Sequence, residues 1–435
     1  MTSRAGFCYE RGGMSAPATT RLSIISPVQD FLFFFLSAAV VLVAWAATAL
    51  LHVEPFYVLA AVAVVSNGPH LVATWSRVYF DKREVKERPV ALLVMPAVIF
   101  VFVALTTWKA GYPGVRLLNS VILYWATWHF VAQNWGILRI YQRKSGEPET
   151  SLALSLERPL LLLFVLWCVL YRLHTGPRLL FGTEVFYALP SRDLVNSLLA
   201  IVLVVLGIFL AERFSQRRAP WARAARVRLA FLGCAFLGFF VPFQMITTDD
   251  TSAFAAAACW HGFQYLGMIR FYHRNTWRAG VDPDAKLISW LSQPGWTRAV
   301  LYVAFLGALA GSVYGVIFAL SLVTRDSGWN FVTWGGVVWI TLTLSHYWLD
   351  GVIWKLRRPE LARRVGLEGP PQNTTPMPTS GPSTTSRQLQ LPFESCWQPV
   401  VSSGTPLTMP RSSSVWERNP ARMPMESTPS TTPAR

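Results

Sequence analysis

The sequence predicts an all-α protein, a polytopic transmembrane helix bundle of about ten spans followed by a disordered C-terminal tail. Three observations support this fold class. Hydrophobic residues make up 52% of the chain and charged residues only 14%, whereas a soluble domain has about 25% charged residues. Apolar runs long enough to cross about 30 Å of hydrocarbon recur along the chain. Lysine and arginine are concentrated in alternate connecting loops, as expected for spans of fixed orientation.

Ten apolar runs are separated by short polar loops and define the predicted spans. They are residues 31–51, 56–79, 90–108, 117–141, 159–172, 194–211, 229–247, 252–272, 298–322 and 331–355. The first run is longer than the apolar part of a signal peptide, which has about 7–15 residues, so we interpret it as an uncleaved span. The segment 173–193 is partly apolar and predicts a loop at the membrane interface.

The basic residues predict the orientation of the spans. Loops that follow even-numbered spans are rich in lysine and arginine, for example residues 82–88 and 213–226, whereas most loops after odd-numbered spans have few. The exception is the segment 172–193, which has three arginines. Because basic loops stay on the cytoplasmic side, we expect both termini in the cytoplasm and the bundle in a bacterial inner (plasma) membrane. The net charge of +16 reflects these loops, and no nucleic-acid partner is expected.

The composition divides the chain into three regions. Residues 1–28 form a cytoplasmic N-terminal segment, and residues 29–360 form the transmembrane helical domain. Residues 361–435 are rich in proline, serine and threonine, with stretches such as NTTPMPTSGPSTTS. A segment of this composition cannot bury enough apolar surface to offset the entropy lost on ordering, so it predicts a disordered cytoplasmic tail. The five cysteines are scattered and include no C-x-x-C pair, which excludes a thiolate zinc motif.

Two stretches inside predicted spans resemble each other. They read WHFVAQNWGILRIYQR at 128–143 and WHGFQYLGMIRFYHR at 260–274. Each begins with Trp-His, continues to a glutamine and ends with Gly-x-x-Arg-x-Tyr-x-Arg. We interpret them as an internal repeat in which each copy contributes one histidine to a shared site.

Four of the seven histidines lie inside predicted spans that run in the same direction. They are His70, His129, His261 and His346. Three of them precede the basic end of their span by nine or ten residues, which corresponds to about 14–15 Å of helix. Four imidazoles are therefore expected at one depth near mid-membrane, where they can converge on a metal ion. The remaining histidines, His52, His174 and His273, lie near span ends and are expected to be interfacial.

Each of these four histidines has a polar neighbour three or four residues later, on the same helix face. The neighbours are Thr74, Gln133, Gln264 and Asp350. We expect them to bind the imidazoles and fix their tautomers, with Asp350, Gln133 and Gln264 as candidate catalytic groups. Asp350 is also a candidate direct ligand and acid/base, because ionisable residues inside membrane spans are usually functional.

Four imidazoles without thiolates suit iron, copper or zinc better than magnesium or calcium, and iron is the metal that we expect. Haem stays open, because two facing histidines can hold one. The layout, in which separate helices each supply one histidine, is similar to that of the bacterial Brp/Blh carotenoid-cleaving dioxygenases. The similarity extends to the triplet Trp-His-Phe at 128–130, and it implies iron held by histidines.

The sequence therefore predicts a membrane metalloenzyme, an iron-dependent oxidoreductase or oxygenase acting on a lipophilic substrate such as a lipid, isoprenoid or quinone. Three alternatives use the same residues. A proton-coupled transporter would use them as a relay, and the Asn-Gly-Pro sequence at 67–69 could break span 2 as transporters require. A haem-binding electron-transfer protein and a purely structural protein are the others. The oligomeric state is left open.

Overall fold

The computed structural model describes residues 22–367 except 177, 181–182, 248–249 and 356–357. These residues are almost entirely helical, which confirms the predicted fold class. The N-terminal 21 residues and the part of the predicted tail from 368 onward lie outside the described residues. Residues 361–364, which the composition assigned to the tail, belong to the short helix Pro359–Arg364.

Twelve helices and one hairpin are named here in chain order. They are α1 Pro27–Ala49, α2 Pro55–Val78, α3 Lys82–Glu87, α4 Val90–Ser145, α5 Leu152–Thr175, β1 Leu179–Leu180, β2 Thr183–Glu184, α6 Arg192–Ser215, α7 Ala222–Met245, α8 Asp250–Thr276, α9 Lys286–Leu291, α10 Trp296–Val323, α11 Phe331–Ile353 and α12 Pro359–Arg364.

Seven of the helices in the described part of the chain are long and apolar enough to cross a membrane, and they indicate a membrane protein. They are α1, α2, α4, α5, α6, α7 and α10. This number is smaller than the ten spans predicted. One reason is that the predicted spans 90–108 and 117–141 form a single element, α4, which turns at Gly111 (φ 52°, ψ −132°). Glycine adopts this backbone conformation without the steric cost that a Cβ would bring.

The other reason is the polar content of α8 and α11, which correspond to the predicted spans 252–272 and 331–355. Helix α8 carries His261 and Gln264 of the predicted site, and helix α11 carries His346 and Asp350. Most residues of α8 from 252 to 273 are buried. Neighbouring helices therefore cover its polar groups, and the helix does not need the apolar surface that contact with lipid demands.

Helix α2 does not break at Pro69, although the sequence Asn-Gly-Pro suggested that it could. Proline has no backbone N–H, and its ring clashes with the carbonyl four residues earlier in an α-helix. In α2 the preceding turn, Ala63–Asn67, is a wider π-helical turn, which accommodates the proline. The helix continues through His70 to Val78.

Two glycines of α8 allow neighbouring helices to approach closely. A Cβ on Gly262 would lie 2.4 Å from Ser66 Oγ and 3.3 Å from His70 Cβ, both on α2. A Cβ on Gly267 would lie 2.6 Å from the ring of Phe33 on α1. Helix α8 therefore packs directly against α1 and α2, and this contact brings His261 next to His70.

The segment after α5 forms a short antiparallel hairpin in which Leu179 pairs with Glu184 and Leu180 with Thr183. Two of the three arginines between 172 and 193 have structural roles, which helps to explain why this loop departs from the charge pattern. Arg178 donates to the carbonyl groups of Leu173 and His174, which lie at the end of α5 where helical carbonyl groups lack partners. Arg172 donates to the carbonyl oxygen of Ile246.

A buried ion-pair network joins the end of α4 to three further helices. Arg213 of α6 contacts Glu147 at 2.6 Å and Glu157 of α5 at 2.8 Å, and Arg228 of α7 pairs with both carboxylates. Burial acts to raise the pKa of Glu147, but a hydrogen bond from Ser151 and the two guanidinium groups outweigh it and lower that pKa below its ordinary value. The network contains two positive and two negative groups, so each buried charge has partners.

Candidate metal centre

The four predicted ligands meet inside the bundle. His70 lies on α2, His129 on α4, His261 on α8 and His346 on α11, and all four are buried. One ligand nitrogen from each lies within 4.8 Å of those of the other three. The convergence predicted from depth and direction is therefore present, and the four side chains are close enough to bind a metal ion.

The imidazole rings surround a common point. The ring of His70 has its centroid 4.8 Å from that of His261 and 4.4 Å from that of His346. The ring of His129 is 4.8 Å from that of His261 and 4.9 Å from that of His346. Each ring thus contacts two others at a steep angle.

One of the nitrogen separations is of the size that a bound metal requires. His129 Nε2 and His346 Nε2 are 3.1 Å apart. Two nitrogens bound to one metal at about 2.1 Å are about 3.0 Å apart at a right angle and about 3.4 Å apart in a tetrahedron. The largest separation, 4.8 Å, exceeds the span of about 4.2 Å across such a metal. The imidazole rings would have to move inward for a single metal ion to bind all four nitrogens.

Three ring nitrogens in the cluster are buried and form no hydrogen bond within the described part of the chain. They are His70 Nδ1, His261 Nδ1 and His261 Nε2. Leaving a buried polar atom without a partner costs about 1–3 kcal/mol. A metal ion at the common point would supply partners for His70 and His261, so the chemistry of these residues fits a metal site.

Asp350 faces two of the histidines with one carboxylate oxygen. Its Oδ2 atom is 3.7 Å from His129 Nε2 and 3.6 Å from His346 Nε2. The other oxygen, Oδ1, accepts hydrogen bonds from Thr74 at 3.2 Å and from the Tyr265 hydroxyl at 2.9 Å. Thr74 and Tyr265 therefore hold the carboxylate through Oδ1. Its Oδ2 atom lies at the edge of the cluster, where it could bind a metal ion directly.

Thr74 contacts a histidine on another helix. Its hydroxyl oxygen is 2.7 Å from His346 Nδ1 and 2.8 Å from the Tyr265 hydroxyl. The spacing along α2 had suggested that it would bind His70. The packing of α2 against α11 places it beside His346 instead.

Tyr265 is a site residue that the sequence analysis missed. It contacts Thr74 and Asp350 through its hydroxyl, which also accepts from Trp354 Nε1 at 3.3 Å. It follows His261 by four residues, so the same-face rule that selected Gln264 also applies to it. That spacing was the available signal.

The two glutamines link α4 to α8. Gln133 Nε2 donates to the carbonyl oxygen of His261 at 3.1 Å and to Gln264 Oε1 at 3.0 Å. Gln264 Nε2 donates to Asn134 Oδ1 at 3.3 Å. Among the hydrogen bonds of the described residues, neither side chain reaches an imidazole ring, so these contacts position the backbone near the ligands. Their catalytic role stays a prediction.

The two similar stretches lie in α4 and α8 and contact each other through these glutamines. Their first residues occupy different environments, because Trp128 is exposed and Trp260 is fully buried. The internal repeat stays a prediction. Outside the cluster, His273 is fully buried, and its Nδ1 atom is 3.0 Å from the Tyr302 hydroxyl oxygen. An interfacial position had been expected for this histidine.

The fold and the site together define a class: a helical membrane protein with a buried cluster of four histidines that is able to bind a metal ion. No protein-family model, curated protein or solved structure matches this chain. Its function is therefore argued from the site.

Proposed function

We propose that this protein is an integral membrane oxidoreductase that uses iron, held by His70, His129, His261 and His346, to oxidise a lipophilic substrate. The observation that carries this proposal is the convergence of the four buried imidazoles beside Asp350. Ionisable groups placed this deep in a bundle are costly and usually functional. Dioxygen and a lipophilic substrate both partition into the bilayer and can reach such a site laterally.

The ligand set supports iron over the other candidates. His129, His346 and Asp350 Oδ2 form a triangle with sides of 3.1, 3.6 and 3.7 Å, and two histidines with one carboxylate on one face are typical of non-haem iron. Zinc would be satisfied by the four histidines alone, so the Asp350 carboxylate beside His129 and His346 is the feature that favours iron. The ring contacts argue against haem, because a porphyrin must lie between its two axial imidazoles.

The surrounding residues prepare this site for a cation. Asp350 supplies negative charge that offsets part of a dication in a medium of low dielectric constant. If Thr74 donates its hydroxyl proton to Asp350 Oδ1, it accepts from His346 Nδ1–H, and this tautomer leaves the Nε2 lone pair of His346 free for the metal. Iron bound there would supply the activation of dioxygen.

Metal analysis and absorption spectroscopy of the detergent-purified protein test the proposal. We expect about one iron per chain and no Soret band. Changing any of the four histidines to alanine should remove most of the iron, because each supplies one ligand. His273→Ala is the matched control, since it alters a buried histidine of α8 outside the cluster and should retain the metal.

Other outcomes would overturn the proposal in distinct ways. A Soret band would identify the haem alternative, and stoichiometric zinc or copper would replace iron. Folded protein free of metal would favour a proton relay through Thr74, Tyr265 and Asp350 or a structural role. Unchanged metal content in all four alanine variants would refute the ligand assignment.

A further inference from the structure

An apolar cavity of about 50 Å³ lies beside the histidine cluster, between α4, α5, α7, α8 and the hairpin segment. Most of its lining is aliphatic or aromatic, including Leu123, Phe130 and Ala257. Arg172 and Arg178 also border it, but their guanidinium groups donate to the carbonyl groups of Ile246, Leu173 and His174. The interior is therefore poor in groups that would hold ordered water.

The cavity adjoins the helical turns that carry two of the predicted ligands. Ala257 precedes His261 by one turn of α8, and Ala126, also in the lining, precedes His129 by nearly one turn of α4. Phe130 separates the cavity from the cluster, since its ring is part of the lining and lies 4.3 Å from the ring of His261 at an angle of 33°. One aromatic ring thus stands between the cavity and a histidine whose two nitrogens have no hydrogen bond.

The size of the cavity restricts its occupant. An engineered apolar cavity of about 150 Å³ stays dry and binds benzene or xenon. The cavity beside the histidine cluster is partly open, and its interior of about 50 Å³ is smaller than that engineered site, with room for a few atoms. Because its walls are apolar, a small apolar molecule is favoured over water.

We propose that this cavity binds dioxygen and holds it next to the metal centre, with Phe130 as the partition that must move for the gas to reach His261. The use of the gas rests on the proposed function, whereas the capacity of the cavity to bind a small apolar molecule does not. The methyl end of a lipid acyl chain is the competing occupant of this cavity.

Xenon is the probe for the cavity. A structure of the protein under xenon pressure should show an atom bounded by Phe130, Ala257 and Leu123. Ala257→Phe should fill the space and abolish this site, and Leu123→Phe is the alternative if that variant fails to fold. Ala308→Phe makes the same change on an exposed face of α10 and should retain xenon. Ordered water or a lipid chain at this position, or no xenon in the unaltered protein, would overturn the proposal.

Nitric oxide, which binds ferrous iron and can be followed spectroscopically, tests delivery to the centre. In iron-loaded protein, Ala257→Phe should slow nitrosyl formation several-fold without changing iron content, whereas Phe130→Ala should accelerate it. Equal rates in all variants would refute the delivery role. If the protein holds no iron, the xenon result still decides whether the cavity exists, so failure of this proposal and of the proposed function are distinguishable.

Discussion

At the scale of single residues, the site depends on hydroxyl groups that orient charged or metal-binding partners. Thr74 illustrates this, because one hydroxyl lies within hydrogen-bonding distance of His346 Nδ1, Asp350 Oδ1 and the Tyr265 hydroxyl. A neutral imidazole needs one nitrogen with a proton and the other without, and the hydrogen bond at Nδ1 decides which. Hydrogen-bond partners of metal-bound histidines orient the rings, and losing one typically weakens metal binding.

Thr74→Val removes this hydroxyl and keeps the shape of the side chain. We expect metal affinity to fall by about 10–100-fold, the usual effect of losing a group that orients a ligand, as measured by competition with a chelator. Thr341→Val is the matched control, because the Thr341 hydroxyl on α11 is buried without a hydrogen-bond partner among the described residues. Equal loss in both variants would show that Thr74 acts through packing alone.

At the scale of helices, close contacts at glycine decide which side chains meet. The approach of α8 to α2 leaves no room for a Cβ on Gly262, since Ser66 Oγ would be 2.4 Å away and is already bonded to the carbonyl oxygen of Cys259 at 3.0 Å. Small residues at such contacts let helix backbones approach in membranes. The same contact places His70 and His261 in register.

Gly262→Ala should push α8 away from α2. We expect stability to fall by about 1–3 kcal/mol, the typical cost of overpacking, together with metal content, in thermal unfolding and metal analysis. Gly233→Ala on α7 is the control, because no atom of the described residues outside its own helix turn lies within 4 Å of its added Cβ. That variant should keep its metal and gain stability, since alanine is a better helix former than glycine. An unaffected Gly262→Ala variant would contradict the packing argument.

The ion-pair network of Glu147, Glu157, Arg213 and Arg228 acts at the same scale, because it joins four elements. A carboxylate with a lowered pKa in the folded protein stabilises the fold above its unfolded pKa, near the ordinary value of 4.5. This stabilisation is lost as the pH falls through the lower folded value. The protein should therefore lose stability in acid below about pH 4.5.

Glu147→Gln tests this linkage. At pH 7 it should lower stability by about 3–5 kcal/mol, because two buried guanidinium groups lose a partner, and it should weaken the loss of stability as the pH falls below about 4.5. Glu149→Gln changes an exposed carboxylate two residues away and should alter neither property in thermal unfolding. An identical acid transition in the unaltered and Glu147→Gln proteins would assign the pH dependence to other groups.

At the scale of the whole molecule, the distribution of charge predicts which side of the membrane each loop faces. The loop after α6 is rich in arginine and is expected in the cytoplasm, whereas the loop after α10 contains Asp326 and is expected outside. Arg217 in the first loop and Asp326 in the second are both exposed.

Labelling with a membrane-impermeant maleimide tests this orientation in a background in which Cys8, Cys396 and the partly exposed Cys234 are replaced by serine. Asp326→Cys should react in intact cells, and Arg217→Cys should react only after the membrane is permeabilised. Cys168 and Cys259 are buried and should contribute little background. The reverse pattern would invert the proposed topology.

Much of the fold and part of the site could be predicted because the relevant signals are local. Hydrophobicity belongs to each segment, and a helix rises by a constant distance per residue, so spans and the depth of the four histidines could be read from the chain. Helices α8 and α11 were also predicted as spans, but their polar residues keep them out of the seven described helices that are apolar enough to cross a membrane. Tyr265 was missed although its spacing from His261 had marked it.

The sequence by itself determined that the chain forms apolar helices and that His70, His129, His261 and His346 lie at a common level. Only the tertiary structure decided that their rings face one another, that Thr74 binds His346, and that Gln133 and Gln264 contact each other. The physical reason is that the rotation of a helix about its axis and its choice of neighbours depend on packing between segments far apart in the chain. Gly262, Ser66 and Cys259 form such a contact, and no local pattern encodes it.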